Sequence, residues 1–405
     1  MIYLDWAATT PPDRDILNKA LEESLESYAN PSSPHVAGKA AKMSLERSRA
    51  SFIASLATLA APGTIDPRGK IAFTASGTEA DQIPLLSLFK TLKKKRFQGS
   101  DEGGEVHLIV SAIEHSAIHA QAEALSQLGF SLTLVKPDSD GCIRPSKIAE
   151  AIRPTTKLVA VMTVNNETGA IQDIEAIGSA IASATSSLRL PKAPLFHVDC
   201  VQALGKVPFT LSGGQISSAA FSAHKIGGPK GVGALWHATP IDPLCVGGGQ
   251  EEGIRSGTEN IFGIAAFAGC AAAAAAAFEW RIAHARILEA RLLTGLGSFS
   301  GAQVVPLSRK AGDLRWSPWI VSAAFPGLGG EVLARALSDE GIAVSTGSAC
   351  SHTGKAKGRR ILDAMGLPAD IAFSAIRVSF GPTTSPEDID IFLQTAGDLY
   401  RRLKT

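Results

Sequence analysis

The 405-residue sequence has five cysteines, at positions 142, 200, 245, 270 and 350, and no CxxC pair among them. Disulfide frameworks and structural zinc sites need paired cysteines, so neither is expected, and the usage fits a reducing, cytoplasmic setting. No metal site is read. Charge of one sign is also lacking: 39 basic against 38 acidic side chains leave a formal +1, which gives no attraction to nucleic acid or to a membrane surface. The amino terminus, Met1-Ile2-Tyr3-Leu4-Asp5, has no basic stretch followed by an apolar one, so no secretory signal is read. The longest apolar run, 261–278, is mostly alanine and glycine and is followed by Glu279, Trp280 and Arg281. It reads as a small-residue helix packed into a core rather than a membrane span.

The chain is long enough for two or three lobes, and 45% hydrophobic residues with 39 glycines is ordinary for an α/β protein. Short apolar or β-branched runs at 71–74, 106–110, 132–135, 158–164, 195–198 and 219–221 alternate with helical patterns. That alternation predicts a largely parallel sheet with crossover helices. Ala41, Leu45, Phe52 and Leu56 mark one covering helix, and 97–104 reads as a polar loop. Composition shifts near Asn260, and a carboxy-terminal region follows with strand candidates at 320–325, 342–344 and 376–380. No long-period repeat is visible.

The chemistry concentrates at strand ends. Ser222-Ala223-His224-Lys225-Ile226-Gly227-Gly228-Pro229-Lys230-Gly231 sets one lysine between an apolar run and a glycine-rich turn. A lysine that attacks a carbonyl needs such a setting to lose its proton and fix its stem. Upstream, Leu195-Phe196-His197-Val198 ends in Asp199, with Gln202 a helical turn later. A carboxylate, a serine, a histidine and a lysine at successive strand ends are the parts that hold pyridoxal 5'-phosphate. The stretch Thr74-Ala75-Ser76-Gly77-Thr78-Glu79 reads equally as an anion cradle at a helix start or as a Ser-x-x-Glu cap that binds nothing. His115 is open in the same way, between a structural histidine and one lying on a heteroaromatic ring.

Together these stretches resemble the cysteine desulfurases, the sulfur-mobilising branch of the class V aminotransferase family. The resemblance runs from Tyr3-Leu4-Asp5-Trp6-Ala7-Ala8-Thr9-Thr10-Pro11 through Asn30-Pro31-Ser32-Ser33-Pro34-His35, Glu114-His115, Asn165-Asn166-Glu167-Thr168-Gly169 and the Asp199 and Lys225 segments. It continues through Gly247-Gly248-Gly249-Gln250-Glu251 and Arg255-Ser256-Gly257-Thr258 to Ser345-Thr346-Gly347-Ser348-Ala349-Cys350 and Ile376-Arg377-Val378-Ser379. It implies an α/β fold-type I pyridoxal-phosphate enzyme with a mostly parallel seven-stranded sheet in a large domain, 13–258, and a smaller α+β domain from 1–12 and 259–405. It implies that Lys225 forms the Schiff base, that Asp199 faces the pyridine nitrogen, and that Asn166 and Gln202 lie on the phenolic-oxygen side. His115 would stack on the ring and take part in catalysis. Gly77, Thr78, Ser222 and His224 would hold the phosphate, joined by Thr258 from the other subunit of a homodimer. Arg377, with Asn166, would bind the carboxylate of L-cysteine, and Cys350 would take its sulfur as a persulfide, releasing L-alanine. The sulfur would pass to an acceptor protein such as an iron–sulfur scaffold. Two alternatives stand beside this: a selenocysteine lyase or related class V enzyme, and a catalytically idle sulfur-carrier subunit. The stretch after Cys350, Ser351-His352-Thr353-Gly354-Lys355, departs from the family's usual Leu-Glu-Pro-Ser run, and Ile226-Gly227 replaces a commoner tyrosine or histidine.

Overall fold

The computed structural model describes residues 1–97, 105–212, 215–347 and 359–404. Among them, fourteen strands follow in chain order: β1 (Ile2–Tyr3), β2 (Ala60–Ile65), β3 (Lys70–Thr74), β4 (His107–Ser111), β5 (Ser131–Val135), β6 (Thr156–Ala160), β7 (Leu195–Asp199), β8 (Phe209–Leu211), β9 (Ser218–Ser222), β10 (Gly233–His237), β11 (Gln303–Val305), β12 (Ile320–Ala324), β13 (Ile342–Ala343) and β14 (Ala375–Ser379). Seven form one sheet in the order β3-β10-β9-β7-β6-β4-β5. Neighbours from β9 to β5 pair in parallel, while β10 is antiparallel to both β3 and β9. The expected seven-stranded, mostly parallel sheet is therefore present. The sequence reading had no counterpart for β10, whose Gly233-Ala234-Leu235-Trp236-His237 is hidden behind the glycine-rich turn. It also carried β6 on to Val164, whereas the strand ends at Ala160 and the chain then follows β7 through Val161 and Thr163 amides bonded to the His197 and Asp199 carbonyls. Residues 98–104 of the expected polar loop lie outside the described residues, and Phe97 ends a helix.

Helices cover the sheet as the periodicity predicts. In the helix Val36–Leu59, Ala41, Leu45, Phe52 and Leu56 are all buried, and His35 caps its start by accepting from the Gly38 amide. Phe52 reaches Phe73 of β3, Phe221 of β9 and Phe267 of the helix Ile261–Ala276, the last with ring centroids 4.6 Å apart. That alanine-rich helix is thus fixed in the core by an aromatic cluster, with Ala266, Ala268, Ala271 and Ala274 buried. It bends by 72° into the helix Phe278–Gly297, and no single helix among the described residues is long and apolar enough to cross a membrane.

A second, antiparallel sheet has the order β11-β12-β14, and β1 pairs in parallel with β13. The two sheets are joined by a buried ion pair. Arg309 and Glu289, both side chains fully buried, lie 2.8 Å apart. The same guanidinium donates to the carbonyls of Thr168, Ser317 and Ile320. Arg286 adds a second bond to Glu289 at 2.8 Å. Removing one partner of such a pair strands a buried charge, at a cost of about 3–5 kcal/mol. Glu289→Ala is accordingly expected to lower the urea-unfolding free energy by about that amount, and an unchanged midpoint would show that the pair does not join the sheets.

Candidate functional site

The carboxyl ends of β3, β4, β6, β7 and β9 point to one edge of the large sheet, where ligands bind in open parallel sheets. After β9 the chain forms a single 3-10 turn, Ala223–Lys225. Lys225 Nζ donates to the carbonyls of Ala7 and Ala8, at 2.8 and 2.7 Å. Gln202 also donates to the Ala7 carbonyl, at 2.8 Å, and its Oε1 accepts from Lys206 at 2.7 Å. Gln202 is therefore occupied at both ends of its amide. Lys206 was missed in the sequence, although its i+4 spacing from Gln202 was available. Burial pushes its ammonium pKa well down, aided by repulsion from Lys225 and Arg377.

Asp199 ends β7 and is buried, with Oδ1 accepting from the Val201 amide at 2.8 Å. Burial pushes its pKa up to about 8, reinforced by the negative charge of Asp81 and moderated by His197 and Lys225. The carboxyl is thus held protonated for want of a close cationic partner. Behind it, His197 spans Ser218 and Asp81, at 2.9 and 3.1 Å. Glu114 is a second buried acid, raised to about 8 by burial although Ser111 and the Met162 amide donate to it.

His115 caps the helix Ser116–Gln127 through Nδ1, which accepts from the Ala117 amide at 3.2 Å. Burial, then Lys225, Arg360 and Arg377, lowers its pKa to about 4, so it is neutral with its proton on Nε2. Arg360 binds the Ala112 and Glu114 carbonyls just ahead of His115 in the chain. His224 faces the Thr9 hydroxyl at 3.1 Å and is held neutral, near 3, by burial and the charges of Lys225, Lys206 and Lys230.

Arg377, buried on β14, donates from Nη1 to the Asn166 carbonyl at 2.8 Å and from Nη2 to Asp5 at 2.7 Å. Its Nε and Asn166 Oδ1 are buried without hydrogen-bond partners among the described residues. The turn carrying Asn166 is fixed by Asn165, which bonds the Glu167 and Thr168 amides and the Ile113 carbonyl. Gly169 follows at φ +77°, where a Cβ would lie 2.6 Å from the Ile320 carbonyl oxygen.

At the β3 end the capping reading is seen: Ser76 accepts from the Glu79 amide, and the Glu79 carboxylate reaches back to the Ala75 amide. Gly77 and Thr78 occupy the first turn, where helix amides have no partner within the helix. A Cβ on Gly77 would sit 3.0 Å from Val201 Cγ2 and 3.1 Å from the Cβ of buried Ser222, so this backbone packs tightly against the end of β9. Thr78 is exposed. Thr258 stands apart from this group, exposed and sharing a cavity of about 70 Å³ with Thr74 and Arg255. Cys350 lies outside the described residues.

The Asp199 shift has a consequence for stability. In protein stripped of cofactor, the folded state binds this proton more tightly than the unfolded chain, whose aspartates titrate near ~3.9. The contribution of Asp199 to stability is then greatest below pH ~4 and falls as pH rises toward the folded value of about 8. Asp199→Asn should make that decline shallower without abolishing it, because Glu114 titrates in the same window. Urea titrations at several pH values check this; identical slopes would exclude a protonated Asp199.

Residues 2–392 match the aminotransferase class-V family. The chain is 33% identical to the protein named cysteine desulfurase IscS of Anaeromyxobacter dehalogenans, over all of this chain and 93% of that one. A solved structure of a NifS-like protein superposes with a TM-score of 0.84 at 32% identity, covering 99% of this chain and 100% of the other. The structure of SspA in complex with cysteine has a TM-score of 0.74 at 27% identity, covering 95% and 100%. The chain belongs to the class-V aminotransferase family, in its cysteine desulfurase branch.

Proposed function

We propose that this protein is a cytoplasmic, homodimeric, pyridoxal-phosphate-dependent cysteine desulfurase. It would convert L-cysteine to L-alanine and leave the sulfur on Cys350 as a persulfide, for an acceptor such as an iron–sulfur scaffold. The observation that carries the reading is the convergence on one sheet edge of Lys225, a buried protonated Asp199, a neutral His115 and a braced Arg377.

The residues present fit the cofactor. Asp199 is a buried acid awaiting a cationic N–H, and Asn166 Oδ1 is an unsatisfied acceptor beside it in the fold. Gly77, Thr78, Ser222 and His224 would receive the phosphate, with Thr258 contributed by the partner subunit, and Lys225 would hold the group covalently. When bound, pyridoxal phosphate supplies an electron sink for the charge that develops at the substrate Cα.

The chain's own residues do the rest. Arg377 presents a planar guanidinium to the α-carboxylate, already oriented by the Asn166 carbonyl and Asp5. Lys225 exchanges its two backbone carbonyls for the Cα proton of the substrate. Neutral His115 keeps its Nε2 proton available on the cofactor side. The Cys350 thiolate then attacks the substrate sulfur. An S–S bond forms, the Cβ–S bond breaks and its electron pair stays on Cβ, which takes up a proton; Lys225 returns the proton it took to Cα, and L-alanine leaves.

Two measurements test this reading. Arg377→Lys keeps the charge and loses the fork, so kcat/KM for L-cysteine should fall more than about tenfold, or about 2 kcal/mol, with cofactor absorbance unchanged; unaltered kinetics would move the clamp elsewhere. In the second, brief exposure to L-cysteine should add one sulfur to the peptide containing Cys350, and Cys350→Ser should bind cofactor yet release no alanine. Sulfur on the exposed Cys245 instead, or wild-type alanine formation by Cys350→Ser, would overturn the assignment.

A further inference from the structure

A cavity of about 210 Å³, with Lys225 in its wall, lies between the amino-terminal segment, the turn after β14 and the start of the helix Phe278–Gly297. Its polar wall carries Lys206 and Arg281 in addition to Lys225, against one acid, Asp13. Asp13 is already committed, since its Oδ1 caps the helix Arg14–Glu26 through the Ile16 amide. Lys206 uses its amine on Gln202 alone among the bonds it makes here. Arg281 Nε is buried with no hydrogen-bond partner among the described residues. A buried guanidinium N–H without an acceptor is costly, and an anion supplies what it lacks. Burial lowers the pKa of both Lys206 and Arg281, while Asp13 pulls that of Arg281 back up.

The remaining wall is apolar. Trp6, Trp319 and Phe380 line it, and the Trp319 ring is fixed by its Nε1 bond to the Lys206 carbonyl at 2.8 Å. Cavities near 150 Å³ accept a benzene-sized body, so about 210 Å³ holds a head group with a short apolar tail. Lys225 lines this space, and neither Arg377 nor Asn166 does.

We infer that this cavity is a second binding site, selective for a small organic carboxylate whose head pairs with Arg281 and Lys206 and whose apolar part lies on Trp6, Trp319 and Phe380. The inference does not depend on the desulfurase reading. An occupant would add negative charge next to Lys225 and so couple this compartment to the sheet edge.

The test uses the purified protein with whatever cofactor it carries, in a buffer free of carboxylates, with butyrate and its neutral analogue butyramide as probes. Butyrate in the millimolar range should raise the melting temperature and change tryptophan fluorescence, since two of the five tryptophans line the cavity. Butyramide should do neither. Arg281→Gln should weaken the butyrate response at least tenfold, and Arg281→Lys should restore part of it. Equal responses to butyrate and butyramide, or an undiminished response in Arg281→Gln, would overturn the site. A matching response to sulfate would overturn its selectivity for an organic carboxylate.

Discussion

The carbonyl of Ala7 is the point on which the site turns. It accepts from Lys225 on the turn after β9 and from Gln202 after β7, while the Ala7 amide donates to the Ser379 hydroxyl at the end of β14. Three distant parts of the chain are thus tied to one peptide of the amino-terminal segment. That segment is itself clamped: β1 runs beside β13, the Leu4 carbonyl accepts from the Ser379 amide, and Trp6 packs so closely on Gly381 that a Cβ there would lie 2.2 Å from the ring. Without the clamp, Lys225 would lose the Ala7 and Ala8 carbonyls and Arg377 would lose Asp5.

The electrostatics follow from where the polar groups are buried. Asp81, Asp199 and Glu114 lie inside the sheet and its covering helices, so each is driven toward its neutral form. The same desolvation lowers the pKa of Lys206, Arg359 and Arg360, so these cations too are pushed toward their neutral forms. The edge is therefore a set of charges held back by burial on both sides, and a bound group with a cationic ring nitrogen and an anionic phosphate would satisfy both kinds at once. Electrostatic preorganisation of this sort costs the fold stability and is retained where a ligand repays it.

Much of this was legible in the sequence because strand ends carry distinctive residues. Asp199 closing Leu195-Phe196-His197-Val198 and Lys225 following Ala219-Ala220-Phe221 sit where the apolar runs placed them. The helix bearing Phe52 was readable from four buried positions. What escaped was of two kinds. β10 reverses direction within a parallel sheet, and its glycine-rich approach resembles a loop until its pairing with β3 and β9 is known. The bond between His197 and Asp81 joins residues 116 positions apart, a distance at which neither periodicity nor local spacing carries a signal. Lys206 and Arg281 were hidden for a related reason: a cation's lack of partners is a property of packing.

Packing also bears on which sulfur can act. Burial raises the thiol pKa of Cys142 and Cys270 to about 12 and that of Cys200 further, so all three stay protonated and are poor nucleophiles. Cys245 is exposed, but it follows β10, whose carboxyl end lies at the opposite edge of the sheet because that strand runs against its neighbours. The segment leading to Cys350 starts at the site itself. Ser345 exchanges backbone hydrogen bonds with Arg377, at 3.2 and 2.6 Å, and Gly347 packs against Glu167 beside Asn166. Five residues of extended chain span at most about 17 Å. Its anchor on the carboxylate-binding arginine thus limits how far the Cys350 thiol can travel from a substrate held there, and that tether distinguishes it from the other four.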